Sequence, residues 1–168
     1  MKKHILITNG MARSGKDTFA NYLGSFVPTK KYSSIDKVKD VARVCGWRGG
    51  KSERDRKFLS DLKELTTEYC DMAFMDIKGE VAVFELTYNP FKVLCIDIRE
   101  PAEIARACKE FGAKSVLIKN DRVPFVASNM GDAGVYDCEY DYVIENNGTL
   151  EEFYEKVKEF YETYIREG

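Results

Sequence analysis

The chain has 168 residues, 44% hydrophobic and 32% charged, and its Lys and Arg so nearly balance its Asp and Glu that the formal net charge is -2. That length suits one globular domain able to bury roughly 70% of its unfolded surface, and the charge balance removes the case for nucleic acid or an anionic membrane as a bulk partner. Five scattered cysteines form no CxxC pair and have no histidine near them in sequence. Together with a start, Met1-Lys2-Lys3-His4, that lacks a signal-like apolar region, they lead us to expect a reduced cytoplasmic chain, without a zinc site, a membrane span or secretion.

In chain order, Ile5 to Thr8 is a short apolar run closing on Asn9-Gly10, and an amphipathic stretch follows from Gly15 to about Phe26. The spacing predicts strand, glycine loop and helix. A second short strand is expected over Lys31 to Ser34. A helix marked by Ile35, Val38, Val41, Ala42 and Cys45 then stops at Gly46. Phe58, Leu59, Leu62, Leu65, Tyr69, Met72 and Ala73 predict one long helix with a charged outer face, and Ile77, Val81, Phe84 and Tyr88 predict another between Phe74 and Tyr88. Val93 to Ile98 reads as a central parallel strand buried on both faces and ending in an acid. Pro101 opens a helix reaching Gly112, Ser115 to Ile118 and Tyr142 to Ile144 are the next strands, and Asn129, Gly131 and Gly134 fall in an irregular connection between them. Thr149 with Glu152 is a capping box for the last helix.

This alternation predicts an α/β fold: a three-layer α/β/α sandwich around a mostly parallel sheet of five strands, with right-handed crossovers. Ligands in such sheets bind beyond the carboxyl ends of the strands. Gly10 and Asp97 both fall at such ends.

Gly10-Met11-Ala12-Arg13-Ser14-Gly15-Lys16-Asp17-Thr18 matches the P-loop pattern through its lysine, directly after a strand and at the opening of a helix. That context makes the match specific. Gly10 and Gly15 permit a tight loop whose backbone N–H groups, including those of Ala12, Arg13 and Ser14, turn around a β-phosphate. The helix dipole favours an anion there, and Lys16 reaches the β- and γ-phosphates. The position after the lysine, usually a magnesium-binding Ser or Thr, is Asp17, and Thr18 comes one step later. Either would serve the metal, while an aspartate in the first turn also suits the dipole on its own account. Asp97 is expected as the second carboxylate for Mg2+, holding the ion directly or through water, or else as a strand-end acid paired with Arg99.

Beyond Asp97, Arg99 is placed to grip a phosphate bidentately, or else to pair with Glu103. Ser33, Ser34 and Asp36 follow the second strand, where they meet an acceptor or cap the next helix. Among the charges of Lys51 to Lys63, Arg56 is the first choice for an acceptor contact. His4, the only histidine, lies a strand's length from the P-loop and is expected to be structural. An acceptor that is already a phosphate oxyanion needs little deprotonation, and for an alcohol acceptor Asp36 remains open as base.

At Ser14-Gly15-Lys16-Asp17-Thr18 the chain resembles the P-loop kinases with aspartate after the lysine, namely phage-type deoxynucleoside monophosphate kinases and animal-type phosphomevalonate kinases. Three further segments agree. Ser34-Ile35-Asp36-Lys37-Val38-Lys39 looks like that family's serine-to-lysine segment, Asp97-Ile98-Arg99-Glu100-Pro101-Ala102-Glu103 is similar to its DxRxxxE signature, and Tyr140 to Gly148 looks like its closing strand and turn. The resemblance covers the sheet core and both ends and is diffuse from Trp47 to Tyr88. It implies that Lys39, Arg56 and Arg99 hold the acceptor phosphate and that Arg122 belongs to a short lid over ATP at about 119-138. The arginine-rich lid of the family is thin here. The expectation is therefore one P-loop kinase domain over 1-168, with core 1-30 and 90-168 and a helical acceptor-binding insertion at about 35-88. Its catalytic residues would be Lys16, Asp97, Arg99 and Arg122. As monomer or homodimer, it would pass a phosphate from ATP, with Mg2+, to a phosphorylated small molecule, most specifically a nucleoside or deoxynucleoside monophosphate. The alternatives are a kinase of another phosphorylated metabolite or cofactor precursor, and a nucleotide-binding regulatory NTPase without a dedicated acceptor.

Overall fold

A computed structural model describes residues 2–86, 88–124 and 134–166. The chain forms two compact units, residues 1–31 with 90–168, and residues 32–89.

In the larger unit β1 (His4–Asn9) leads through a loop to α1 (Lys16–Phe26), and β2 (Thr29–Ser33) follows, its last two residues already counted in the 32–89 unit. After residue 89 come β3 (Val93–Asp97), α5 (Pro101–Phe111), β4 (Lys114–Lys119), β5 (Tyr142–Glu145) and α6 (Leu150–Phe160), which runs on as a π-helical stretch, Tyr161–Arg166. The five strands stand in the order β2-β3-β1-β4-β5, and β1 pairs in parallel with both β3 and β4, as β4 does with β5. This is the predicted α/β sheet flanked by helices. The β1–β3 register sets Thr8 opposite Asp97, so the last residue of β3 is level with the last but one of β1, one step before the loop that follows Asn9.

The strands read as apolar runs because β1 and β3 are covered on both faces; Leu6, Ile7, Leu94, Cys95 and Ile96 are all buried. One core cluster joins the sheet to α1 and α6 through Phe19, Leu23, Phe153, Val157 and Phe160, with the Phe19 and Phe160 rings edge-to-face at 5.6 Å. Each buried phenylalanine contributes about 1.5–3 kcal/mol by leaving water. The expected ends hold: Pro101 opens α5, Gly112 closes it with φ 60, and Thr149 and Glu152 form the capping box of α6.

The smaller unit contains α2 (Asp36–Val44), α3 (Glu53–Cys70) and α4 (Met72–Glu85). Ala73, Phe74, Ile77, Val81 and Phe84 are buried on α4, Val38 and Ala42 on α2, and no residue of α3 is fully buried. One expectation is corrected here. The long helix predicted to run through Met72 and Ala73 stops at Cys70, because Asp71 takes a left-handed conformation with φ 53 and its N–H closes on Thr67 O at 3.0 Å. Asp71 O then accepts from Met75 N and starts α4. The apolar spacing continued across the break because both helices keep an inward stripe.

Among the described residues, no helix is long and apolar enough to cross a membrane. All five cysteines are free; Cys45 and Cys70 are exposed and Cys95 is buried.

Candidate nucleotide-binding site

Between β1 and α1 the backbone does what only particular residues allow. Gly10 has φ 148, Arg13 φ 67 and Gly15 φ 109. A Cβ on Gly10 would come within 2.4 Å of Ile118 O and 2.6 Å of Ser14 Oγ, and one on Gly15 within 2.5 Å of Asn146 Nδ2. Gly10 is thus required by conformation and by the backbone beside it, and Gly15 by its conformation. The loop closes on itself through Ser14 N to Met11 O at 3.1 Å. No side chain caps α1, so its first N–H groups stand at the loop as an electropositive terminus. The Lys16 ammonium curls back over the same loop and donates to Gly10 O at 2.5 Å and Met11 O at 3.0 Å. Ser14 Oγ is buried without a hydrogen-bond partner. A glycine-framed loop, an open helix terminus and a lysine folded over it fit a chain of phosphates.

Side chains that the sequence reading had not singled out brace this loop. Asn9, fully buried, accepts from Gly10 N at 2.8 Å and donates to Tyr140 Oη at 2.7 Å; that hydroxyl donates in turn to Val135 O at 2.8 Å. Asn146 donates to Ser14 O at 2.9 Å. Next to it, Asn147 accepts from Asp121 N and donates to the Asp121 carboxylate, and Arg122 donates to Gly148 O at 3.0 Å. Arg122, the predicted lid residue, is therefore attached to the turn that supports the loop. The rest of the predicted lid from 125 to 133, with Asn129 and Gly131, lies outside the described residues.

The two predicted metal carboxylates do come together. Thr8 Oγ1 donates to Asp97 Oδ1, and the Lys31 ammonium forms an ion pair with Asp17 Oδ1 while standing 3.4 Å from Asp97 Oδ2. The Asp17 side chain is 80% exposed and that of Asp97 17%. Thr18 is half-buried on the same first turn of α1. Two carboxylates and a hydroxyl are hard oxygen donors of the kind magnesium takes, and the ammonium already held between the carboxylates is a stand-in cation at that place. The donor set fits the ion. Beneath it, burial pushes the Cys95 thiol pKa up, and the Asp97 charge adds to the shift.

The predicted acceptor residues divide between the units. Arg99 is exposed after β3, and its carbonyl accepts weakly from Asn9 Nδ2 at 3.4 Å. Ser34, Asp36, Lys39 and Arg56 belong to the 32–89 unit. Asp36 accepts from Ser33 N at 3.1 Å and pairs with Lys39 at 3.7 Å, Ser34 is buried, and Arg56 is exposed on α3. Asp36 is the first residue of α2, and no side chain caps that helix. Asp76, which the sequence reading passed over, accepts from Tyr32 Oη, and burial, then the Glu80 charge, raises its pKa.

No family model matches the sequence. No curated protein is significantly similar to it. Among solved structures the chain is similar to dephospho-CoA kinase from Campylobacter jejuni, with 15% identity and a TM-score of 0.56 over 98% of this chain and 97% of that one. It is similar to thymidylate kinase from Candida albicans at 13% identity and a TM-score of 0.51 over 99% and 94%. A sugar kinase from Janibacter sp. HTCC2649 aligns at 14% identity and a TM-score of 0.50 over 99% and 98%. The chain has the α/β fold that these P-loop kinases share.

Proposed function

We propose that the chain is an ATP-dependent phosphotransferase that phosphorylates a phosphorylated small molecule, most specifically a nucleoside or deoxynucleoside monophosphate. One observation carries the reading: Lys16 and the open end of α1 meet over a loop whose two glycines both take positive φ, Gly10 with no room for a Cβ. Phosphoryl transfer asks a protein mainly for positioning and positive charge around the moving group. The loop amides hold the β-phosphate, Lys16 leaves its two loop carbonyls for the β- and γ-oxygens, and Arg99, two residues beyond β3, holds the acceptor phosphate. Asp17, Thr18 and Asp97 hold the magnesium that travels with ATP. When bound, that ion neutralises charge on the β- and γ-phosphates.

Lys39 and Arg56 are further acceptor contacts by their likeness to the aspartate-bearing P-loop kinases, and Arg122 guards the ATP side. A phosphate oxyanion as acceptor agrees with Asp36 being engaged at a helix start, where it is poorly placed to act as a base. The similarity to a thymidylate kinase supports a monophosphate acceptor, and that to a dephospho-CoA kinase keeps a cofactor precursor in the test set.

The deciding experiment presents nucleoside and deoxynucleoside monophosphates, phosphorylated metabolites and alcohols in turn and follows ADP release with and without magnesium. Magnesium-dependent release that rises only with a monophosphate is expected. Release that no acceptor changes would replace the kinase with an NTPase.

A further inference from the structure

The Lys31 ammonium is the least expected neighbour of the predicted metal carboxylates. It lies on β2, next to β3 in the sheet, and reaches Asp17 of α1 and Asp97 of β3 together. Each Asp97 oxygen already has a partner in this arrangement, Thr8 donating to Oδ1 while Lys31 faces Oδ2. The carboxylates approach each other from separate elements and would repel without a cation between them. We infer that Lys31 is the resident counter-ion of the Asp17–Asp97 pair, and that a divalent cation reaches these carboxylates only by exchanging with its ammonium. The inference rests on the reading that Asp17 and Asp97 serve a metal.

Exchange is favoured by what surrounds the pair. Asp17 is largely in water, so its bond to Lys31 is weakly held and open to competition. A divalent ion beside the two carboxylates would face a like charge if the ammonium stayed, so the two cations exclude each other. A displaced lysine on this strand keeps its flexible stem and finds a new partner in the phosphates that arrive with the metal. Lys31 thereby makes the site reluctant toward metal alone and receptive to metal with nucleotide.

The test titrates Mn2+ into nucleotide-free protein and reads free Mn2+ by electron paramagnetic resonance, with Tm recorded on the same samples. Wild type is expected to bind weakly. Lys31→Gln should bind at least tenfold more tightly, with a larger Mn2+-dependent rise in Tm, and Lys31→Arg should behave as wild type. Adding Asp17→Asn to Lys31→Gln should remove the gain. Should Lys31→Gln fail to fold, Lys31→Met, which keeps the stem, carries the same expectation. If the neutral variant binds Mn2+ no better than wild type while both bind Mn2+ together with ATP, the exchange is refuted and the kinase reading stands. If neither protein binds ATP with Mn2+, the nucleotide site itself fails and the inference falls with it.

Discussion

The two units place their functional groups differently. In the larger one the groups around the phosphate loop are built into the frame: Asn9 and Ser14 are buried, Asn146 braces the loop, and both glycines are enclosed. In the 32–89 unit Asp36, Lys39 and Arg56 lie on helices, and Ser34 lies in the turn before α2. Arg56 is exposed, α3 buries nothing completely, and among the described residues seven large exposed apolar side chains, Val44, Leu65, Tyr69, Met75, Val83, Leu86 and Tyr88, lie in this unit against four, Tyr136, Val143, Leu150 and Tyr164, in the larger one. The donor phosphates are the same whatever the acceptor, so the groups that hold them can be set in place in advance. In the 32–89 unit Arg56 stands exposed on α3 and Lys39 half-buried on α2, and of these candidates only Ser34 is buried.

The largest effect should come from the donor side. Lys16→Ala is expected to lower kcat by about 10²- to 10³-fold, the range for losing one preorganised charge or donor, with an unchanged circular dichroism spectrum. Turnover near wild type would take Lys16 out of the chemistry. Gly15→Ala should be next, because φ 109 and the 2.5 Å approach of Asn146 act together. A loss of about 1–3 kcal/mol in denaturant titration is expected, with weakened ATP binding, whereas Gly79→Ala on α4, which meets open space, should leave both intact. If the two alanine variants melt alike, the contrast between built-in and open regions is wrong. A smaller effect belongs to the acceptor contacts: Arg99→Ala and Arg56→Ala should each raise acceptor KM about tenfold, the loss of one charge-assisted contact, and leave ATP affinity unchanged. An effect on ATP alone would move Arg99 to the donor side.

The smallest concerns His4, whose pKa is lowered chiefly by burial and further by Lys2. A histidine with a folded value below its unfolded 6.5 binds fewer protons when folded, so its contribution is complete above that value and is lost as pH falls through the lowered one. Urea midpoints between pH 7.5 and 5 should therefore decline less in His4→Gln than in wild type. Parallel declines would relieve His4 of any part in acid sensitivity.

How much of this could be read from the sequence depended on how local each signal was. The P-loop, the strand ending at Asp97, Pro101 and the Thr149–Glu152 box are contiguous patterns and reappeared where expected. The turn at Asp71 escaped because aspartate is an uncommon left-handed residue and no glycine announced it. Lys31 escaped for another reason: its bond depends on β2 standing beside β3 and on Thr8 being level with Asp97, which no local spacing encodes. Asn9, Tyr140 and Asn146 were likewise joined only by the fold, across 131 and 132 positions of chain.

The Tyr140 hydroxyl, held between Asn9 and Val135, has one more consequence. Burial keeps that phenol protonated well above its ordinary range, so the clasp at the mouth of the loop consists of neutral hydrogen bonds. Dissolved electrolyte screens charges and leaves such bonds nearly untouched. Raising ionic strength should then loosen Lys31 from Asp17 long before it disturbs the loop, so one site holds a salt-labile cation inside a salt-indifferent frame.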